Sequence, residues 1–150
     1  MTMGITLAMA LADPASGARP AEYLRGFAQA RSIIESSANR CLLLELWLAE
    51  TSAQHRQGLM HIEQLDEAEG MLFIYDRDAT VSMWMKNTRL PLDMLFIRGD
   101  GEIVRIARRT EPMSTRSISS GAVVRFVLEL DGGATERWQI EPGNRLLTIN

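Results

Sequence analysis

Cysteine and histidine are scarce in this sequence of 150 residues, which has one Cys and two His. A single cysteine, Cys41, excludes an internal disulfide and every site that needs paired cysteines. The histidines His55 and His61 stand six positions apart, a spacing that common metal-binding pairs do not use. We therefore expect both histidines to be solvated surface residues, and we expect no metal site and no cofactor.

Positive charge is also in short supply. The 16 Lys and Arg residues are outnumbered by 19 Asp and Glu, which gives a net charge of -3 and a pI near 5.4. Such a chain offers no broad basic surface, and this argues against nucleic acid as a partner. Because Lys86 is the one lysine in the sequence, any chemistry that needs a side-chain amine able to lose its proton depends on it.

No apolar run is long enough to cross a bilayer. The apolar residues 1–12 (MTMGITLAMALA) have instead the length of a signal-peptide core, and Ala10-Leu11-Ala12 resembles a cleavage site, although no basic residue precedes them. We predict a signal segment over 1–12 and a periplasmic or secreted protein, with a cytoplasmic protein as the alternative. Residues 13–30 are predicted to form a linker with a short helix over 21–30, and residues 31–150 a single compact domain.

The rest of the chain has the period-two pattern of short strands. In the clearest example, Cys41 to Ala49 (CLLLELWLA), the even positions are all leucine and predict one apolar strand face. Thr51 and Gln54 form a capping-box pattern that starts a helix, and Gly58 is suited to end it. Further strands are predicted over residues 32–35, 70–75, 81–86, 92–98, 102–108, 122–130 and 145–149, with a second helical turn over 62–69.

This arrangement predicts the fold class. So many short strands in so few residues are buried most readily when the sheet closes on itself. Gly99-Asp100-Gly101 supplies a hairpin turn between two of them. We expect an α+β fold that is mainly antiparallel β, with a small barrel-like or strongly curled sheet and one or two short helices.

Several sequence blocks occur in an order that is specific to one family. They are Gly58-Leu59-Met60, Gly70-Met71-Leu72-Phe73, the segment Trp84 to Thr88 (WMKNT) and Pro91-Leu92-Asp93. Over residues 41–149 the chain resembles the domain-of-unknown-function family 192, whose members are small and often exported. The resemblance implies a β-rich, barrel-like domain, and it implies no known activity, substrate or cofactor. Family members commonly carry Arg or another polar residue shortly after the first block, where this chain has His61-Ile62-Glu63.

The segment from Ser82 to Asp93 is the best candidate for a site. By alternation Trp84 and Lys86 share a strand face, and the chain then turns and re-enters a strand near Asp93. Polar groups that converge at one end of a barrel would form a small-ligand pocket. The alternative is that the turn residues bond to backbone and that the tryptophan belongs to the core. The candidate ligand-binding residues are Trp84, Lys86, Asn87, Thr88, Asp93 and Glu129.

Methionines are concentrated in the middle of the chain. A thioether is a soft ligand that suits Cu(I), so the group is a candidate metal site. Methionine also fills irregular gaps in small β cores, and we predict this packing role for all of them. The five residues are Met60, Met71, Met83, Met85 and Met94.

Three classes of function stay open from the sequence. The leading hypothesis is a non-enzymatic module, exported, that binds a small ligand or serves as an accessory protein. The alternative is a small hydrolase or lyase in which Lys86 forms an acid-base pair with Asp93 or Glu129. A third possibility is a protein-interaction domain. The partner is therefore an unknown small molecule or protein.

Overall fold

The computed structural model describes residues 20–149, so that the predicted signal segment and residues 13–19 of the predicted linker lie outside the described residues. The chain begins with the one-turn helix α1 (Pro20–Tyr23) and enters strand β1 (Ala28–Glu35). Leu24 and Phe27, between these two elements, are buried in the core. The folded part therefore starts before residue 31, and the helix expected over 21–30 is limited to its first turn.

Within residues 20–149, seven of the nine strands form one sheet in the order β6-β5-β8-β3-β2-β1-β9. Every neighbouring pair is antiparallel except β2 and β3, which run parallel. The short strands β4 and β7 pair separately. The strands after β1 are β2 (Cys41–Ala49), β3 (Glu69–Ala79), β4 (Ser82–Met83), β5 (Leu92–Ile97), β6 (Ile103–Ala107), β7 (Ile118–Ser119), β8 (Val124–Asp131) and β9 (Leu146–Ile149).

The two edge strands of the large sheet meet at one end. The backbone N–H of Ile103 donates to the Asn144 carbonyl at 2.9 Å, and the N–H of Leu146 donates to the Gly101 carbonyl at 2.9 Å. A side chain at Gly101 would lie 2.3 Å from the Leu146 carbonyl oxygen, and its φ is +91°, so this contact needs glycine. The sheet is thus strongly curled and nearly closes into a barrel, as the sequence predicts.

The curled sheet separates two apolar clusters. The inner core contains residues from all seven strands and fills the inside of the curl. The outer core lies on the opposite face, beneath the segments that connect the strands. Strand β2 contributes to both, because its even-numbered Leu44 and Leu46 lie in the inner core while Trp47 and Ala49 lie in the outer core. The predicted alternation along Cys41 to Ala49 is confirmed.

Helix α2 (Ser52–Gln57) lies after β2 and has the predicted capping box. The Gln54 N–H donates to the Thr51 hydroxyl, the Gln54 side chain accepts from the Thr51 N–H, and Gly58 caps the C-terminus. The helical turn predicted over 62–69 is wrong, because the chain there is irregular and lays Ile62 and Leu65 on the outer core. None of the helices within residues 20–149 has the length and apolarity needed to cross a membrane.

The strand predicted over 81–86 is shorter than expected. Only Ser82 and Met83 pair in a ladder. Met85 then donates to the Ser114 carbonyl, and its own carbonyl accepts from the Thr88 N–H at 3.1 Å, which turns the chain. The segment from Trp84 to Thr88 is therefore a loop that lies over the outer face of the sheet.

Candidate functional site

Glu129 is a carboxyl on an otherwise apolar surface. It lies on the outer face of β8, where its strand neighbours are Met71 of β3 and Met94 of β5, both fully buried. Its own exposed fraction is only 4%. Among the described residues no side chain or backbone group forms a hydrogen bond with this carboxyl. Burial raises the pKa of Glu129 to about 8, so the group is largely protonated at neutral pH.

A narrow cleft opens onto this carboxyl. Its floor is formed by Phe73 and Glu129 of the sheet, and helix α2 with the loop after it forms one wall. The volume is about 20 Å³, which is enough for one water-sized species. We call it the Glu129 cleft, and its main lining residues are His55, Arg56, Met60, Phe73, Met83, Trp84, Lys86, Thr88 and Glu129.

Trp84 and Lys86 form the outer rim of the Glu129 cleft. The Trp84 side chain is 45% exposed, so it is not the core residue that the alternative interpretation required. The Lys86 ammonium lies over its ring, with Nζ 5.4 Å from the ring centroid. In the described part of the chain Lys86 has no carboxylate partner. The rim therefore presents an aromatic ring and a cation side by side.

Asn87 and Thr88 shape the loop that carries this rim. Asn87 adopts a left-handed conformation with φ of 56°, and its carbonyl accepts from the His61 N–H at 3.0 Å. The Thr88 hydroxyl donates to the Lys86 carbonyl at 3.3 Å. Both residues thus bond mainly to backbone, as the alternative interpretation predicted, although Thr88 also lines the Glu129 cleft.

Asp93 does not belong to the site. It lies on the inner face of β5, with Leu95 on the same face, and therefore on the opposite side of the sheet from Glu129. Its fully buried carboxylate accepts four hydrogen bonds, from the Arg109, Gly133 and Thr135 N–H groups and the Thr135 hydroxyl, at 2.6 to 3.0 Å. The Asp93 carboxylate therefore faces away from the Glu129 cleft and bonds to Arg109, Gly133 and Thr135 instead.

The environment of Asp93 keeps it ionised. Burial alone would raise the pKa of this carboxyl, but the hydrogen bonds from Thr135, Arg109 and Gly133 outweigh it and hold the pKa below its usual value. The carboxylate joins the chain after β6 to the start of helix α3 (Ala134–Trp138). Its role is structural.

The structure contradicts the prediction that His55 is a solvated surface residue. His55 is half-buried rather than solvated, and its Nε2 lies 2.9 Å from the Ala49 carbonyl and 3.1 Å from the Ile74 carbonyl. Its ring contacts Tyr75, with centroids 4.8 Å apart. Burial and the neighbouring Glu129 raise the pKa of Tyr75 to about 12. No local signal around His55 indicates the contacts with Ile74 and Tyr75, because these residues lie on a strand about twenty positions away in the sequence.

The methionines fall into two groups. Met71, Met85 and Met94 are fully buried in the outer core, which confirms the packing role predicted for them. Met60 and Met83 are half-buried and line the Glu129 cleft. The Met83 sulfur accepts from the Tyr75 hydroxyl at 3.4 Å, and the Met60 sulfur lies 3.9 Å from the Asn87 amide nitrogen.

Two wider grooves lie elsewhere on the described surface. One, of about 330 Å³, runs between β1 and β2 past Trp47, and its Arg31 and Glu45 side chains pair at 3.3 Å. The other, of about 260 Å³, lies beside Arg105 and Arg116. Both are larger than the Glu129 cleft, but no buried ionisable side chain lines either of them. A buried ionisable group in a cleft is the better indicator of a functional site.

Comparison with known proteins agrees with the motifs. The sequence pattern of DUF192, a family described as an uncharacterized ACR, matches residues 32–148. The structure of a proposed transcription regulator from Sinorhizobium meliloti 1021 is 42% identical, with a TM-score of 0.78, over 80% of this chain and 93% of that chain. A protein of unknown function from Novosphingobium aromaticivorans DSM 12444 is 27% identical, with a TM-score of 0.80, over 94% of this chain and 99% of that chain. No similar sequence was found among curated proteins.

Proposed function

The chain is a member of the DUF192 family, and we propose that it is a small-ligand-binding module whose site is the Glu129 cleft. One observation carries the proposal: a carboxyl that is 4% exposed opens onto a cleft and has no hydrogen-bond partner among the described residues. A carboxyl removed this far from water loses hydration that no described protein group replaces, and this loss is unfavourable. A ligand that bonds to Glu129 would supply the missing interaction.

The structure excludes one of the two acid-base pairs on which the enzyme hypothesis depends. The Asp93 carboxylate is saturated by four hydrogen bonds on the other side of the sheet, so it is not available to Lys86. Lys86 and Glu129 line the same cleft, but no hydrogen bond joins them, and the Lys86 ammonium rests on the Trp84 ring. General acid-base catalysis needs such groups within hydrogen-bond reach of the reacting proton. These contacts favour binding over catalysis.

The binding proposal is tested by a thermal-shift screen of metabolites and metal ions against the purified chain. A ligand present at about 100 times its dissociation constant stabilises the fold by roughly 2.7 kcal/mol. We expect Glu129→Gln and Lys86→Met to weaken the best ligand about tenfold or more, a loss of about 1.4 kcal/mol each. Lys86→Arg keeps a cation on Trp84 and should weaken it less.

The matched control is Arg116→Gln, which changes an exposed cation in a groove away from the Glu129 cleft. The dissociation constant of the best ligand for Arg116→Gln, measured by calorimetry, should equal that for the wild type. Equal affinities for wild type, Glu129→Gln and Lys86→Met would place the ligand elsewhere and contradict the proposal. The proposal is also contradicted if no compound stabilises the chain.

Export is part of the proposal. It is supported by the apolar residues 1–12 and by the cleavage-like Ala10-Leu11-Ala12. Mass spectrometry of the protein from its own cells is expected to find a mature N-terminus at or near Asp13. Protein that carries Met1 or Thr2 in the cytoplasmic fraction would show that the segment is retained and that the chain is not exported.

A further inference from the structure

The size of the Glu129 cleft restricts its occupant. A volume of about 20 Å³ holds one water-sized species. A metabolite would have to move the α2 wall or the rim, whereas a single ion would fit the cleft as it stands. The Glu129 carboxyl that lines the cleft favours a cation, which can take the place of its proton.

The side chains around the cleft supply soft donors. Met60 and Met83 are the two of the five central methionines that are only half-buried and line the cleft, and Met83 also packs against the edge of the outer core. The Met83 sulfur accepts a hydrogen bond from the Tyr75 hydroxyl, and the Met60 sulfur lies 3.9 Å from the Asn87 amide nitrogen. Thioether ligands select Cu(I) among the biological metal ions.

His55 is arranged as a third donor. Its Nε2 lies between the Ala49 and Ile74 carbonyl oxygens, which only accept, so Nε2 carries the hydrogen. In the neutral ring Nδ1 then has a free lone pair, and no described residue bonds to it. Histidines that bind metals usually donate their other N–H to a carbonyl or carboxylate in this way.

The charges around the cleft also discriminate between cations. The aromatic face of Trp84, which an organic ammonium would need, is already covered by the Lys86 ammonium. Arg56 and Lys86 both border the cleft, so an occupant with a high positive charge would be repelled. A monovalent ion that displaces the proton of the Glu129 carboxyl brings no net charge into the site.

We propose that the Glu129 cleft binds a soft monovalent metal ion, Cu(I). The donors are the Met60 and Met83 thioethers and the His55 imidazole, and Glu129 supplies the counter-charge. This assignment rests on the proposed function of the cleft and names the class of its ligand. It departs from the expectation that the chain has no metal site, because the half-buried Met60 and Met83 line the cleft together with His55 and Glu129.

Anaerobic competition between the full-length chain and the Cu(I) chelator bicinchoninate tests this assignment. Cys41 is exposed and is itself a soft ligand, so every variant is compared in a Cys41→Ser background. We expect the Cys41→Ser protein to bind one Cu(I) per chain. Adding Met60→Leu and Met83→Leu should weaken binding by about 100-fold or more, since even outer-shell changes cost up to that. The control is Met71→Leu with Met94→Leu, two core methionines, which should bind like the parent.

A second measurement does not depend on folded variants. Protein labelled with ¹³C at the methionine methyl groups is titrated with Ag(I), a stable substitute for Cu(I). The Met60 and Met83 resonances should shift, while those of Met71, Met85 and Met94 stay in place. No Cu(I) binding by the Cys41→Ser protein, equal affinity in both double variants, or Ag(I) shifts confined to other methionines would each overturn the metal assignment. An organic ligand weakened by Glu129→Gln would then still support the binding function.

Discussion

Replacing Asp93 by alanine is expected to lower the free energy of unfolding by about 4 kcal/mol, measured by urea denaturation at pH 7. The carboxylate is fully buried and accepts four hydrogen bonds. Without it, the N–H groups of Arg109, Gly133 and Thr135 have no acceptor, and a hydrogen bond to a charged group contributes about 1.5 to 3 kcal/mol. Its partners also hold the start of helix α3.

The comparison variant is Asp131→Ala, which removes a partly exposed carboxylate paired with Arg137 at 3.0 Å. Surface ion pairs of this kind contribute about 0 to 1 kcal/mol, so the two alanine variants should differ by several fold. Because the pKa of Asp93 is lowered by folding, its contribution is present above the usual value of 3.8 and is lost as the pH falls below it. Similar losses for Asp93→Ala and Asp131→Ala would show that the Asp93 hydrogen bonds contribute little.

The stability of the wild-type chain is expected to fall with rising pH between about 4.5 and 8, and Glu129 is the cause. The carboxyl is ionised above its usual pKa of 4.5 in the unfolded chain, whereas burial raises its pKa in the folded chain to about 8. Folding therefore takes up a proton in this window, and each pH unit costs about 1.4 kcal/mol of stability. The loss ends near pH 8, where the folded state also ionises.

Glu129→Gln isolates this effect, because the amide keeps the shape of the protonated carboxyl and does not titrate. The difference in unfolding free energy between the variant and the wild type should grow steadily in favour of the variant from pH 4.5 to 8. Urea denaturation at half-unit pH steps measures it. Curves that stay parallel over this range would mean that the Glu129 carboxyl is solvated or paired, and that the cleft lacks its unpartnered group.

The elements that sequence predicts well are those that local chemistry determines. The alternation in Cys41 to Ala49, the Thr51 capping box and the Gly99-Asp100-Gly101 turn are all present in the structure. Each depends on residues a few positions apart. The strand predicted over 81–86 is mostly lost, because the Met85 backbone bonds to Ser114 instead of extending a ladder.

The sequence predicts only part of the candidate site. Alternation indicates which residues share a strand face, but it does not say which way that face points after a turn. Asp93 therefore enters β5 facing the inner core, away from Lys86 and Trp84, since its pairing with Leu130 of β8 sets the register. His55 lies on helix α2 and lines the cleft. Its contacts with Ile74 and Tyr75, which are distant in sequence, are not indicated by any local pattern.

The three tryptophans of the chain offer the most direct test of whether a ligand binds at the Glu129 cleft. Trp84 lies at the cleft rim, Trp47 lines the wider groove between β1 and β2, and Trp138 packs against the inner core. Their ¹⁵N-labelled indole N–H resonances are followed while the most stabilising compound from the screen is added. We expect the Trp84 resonance to shift and saturate while the Trp47 and Trp138 resonances stay in place. A shift of Trp47 with Trp84 unchanged would contradict binding at the cleft.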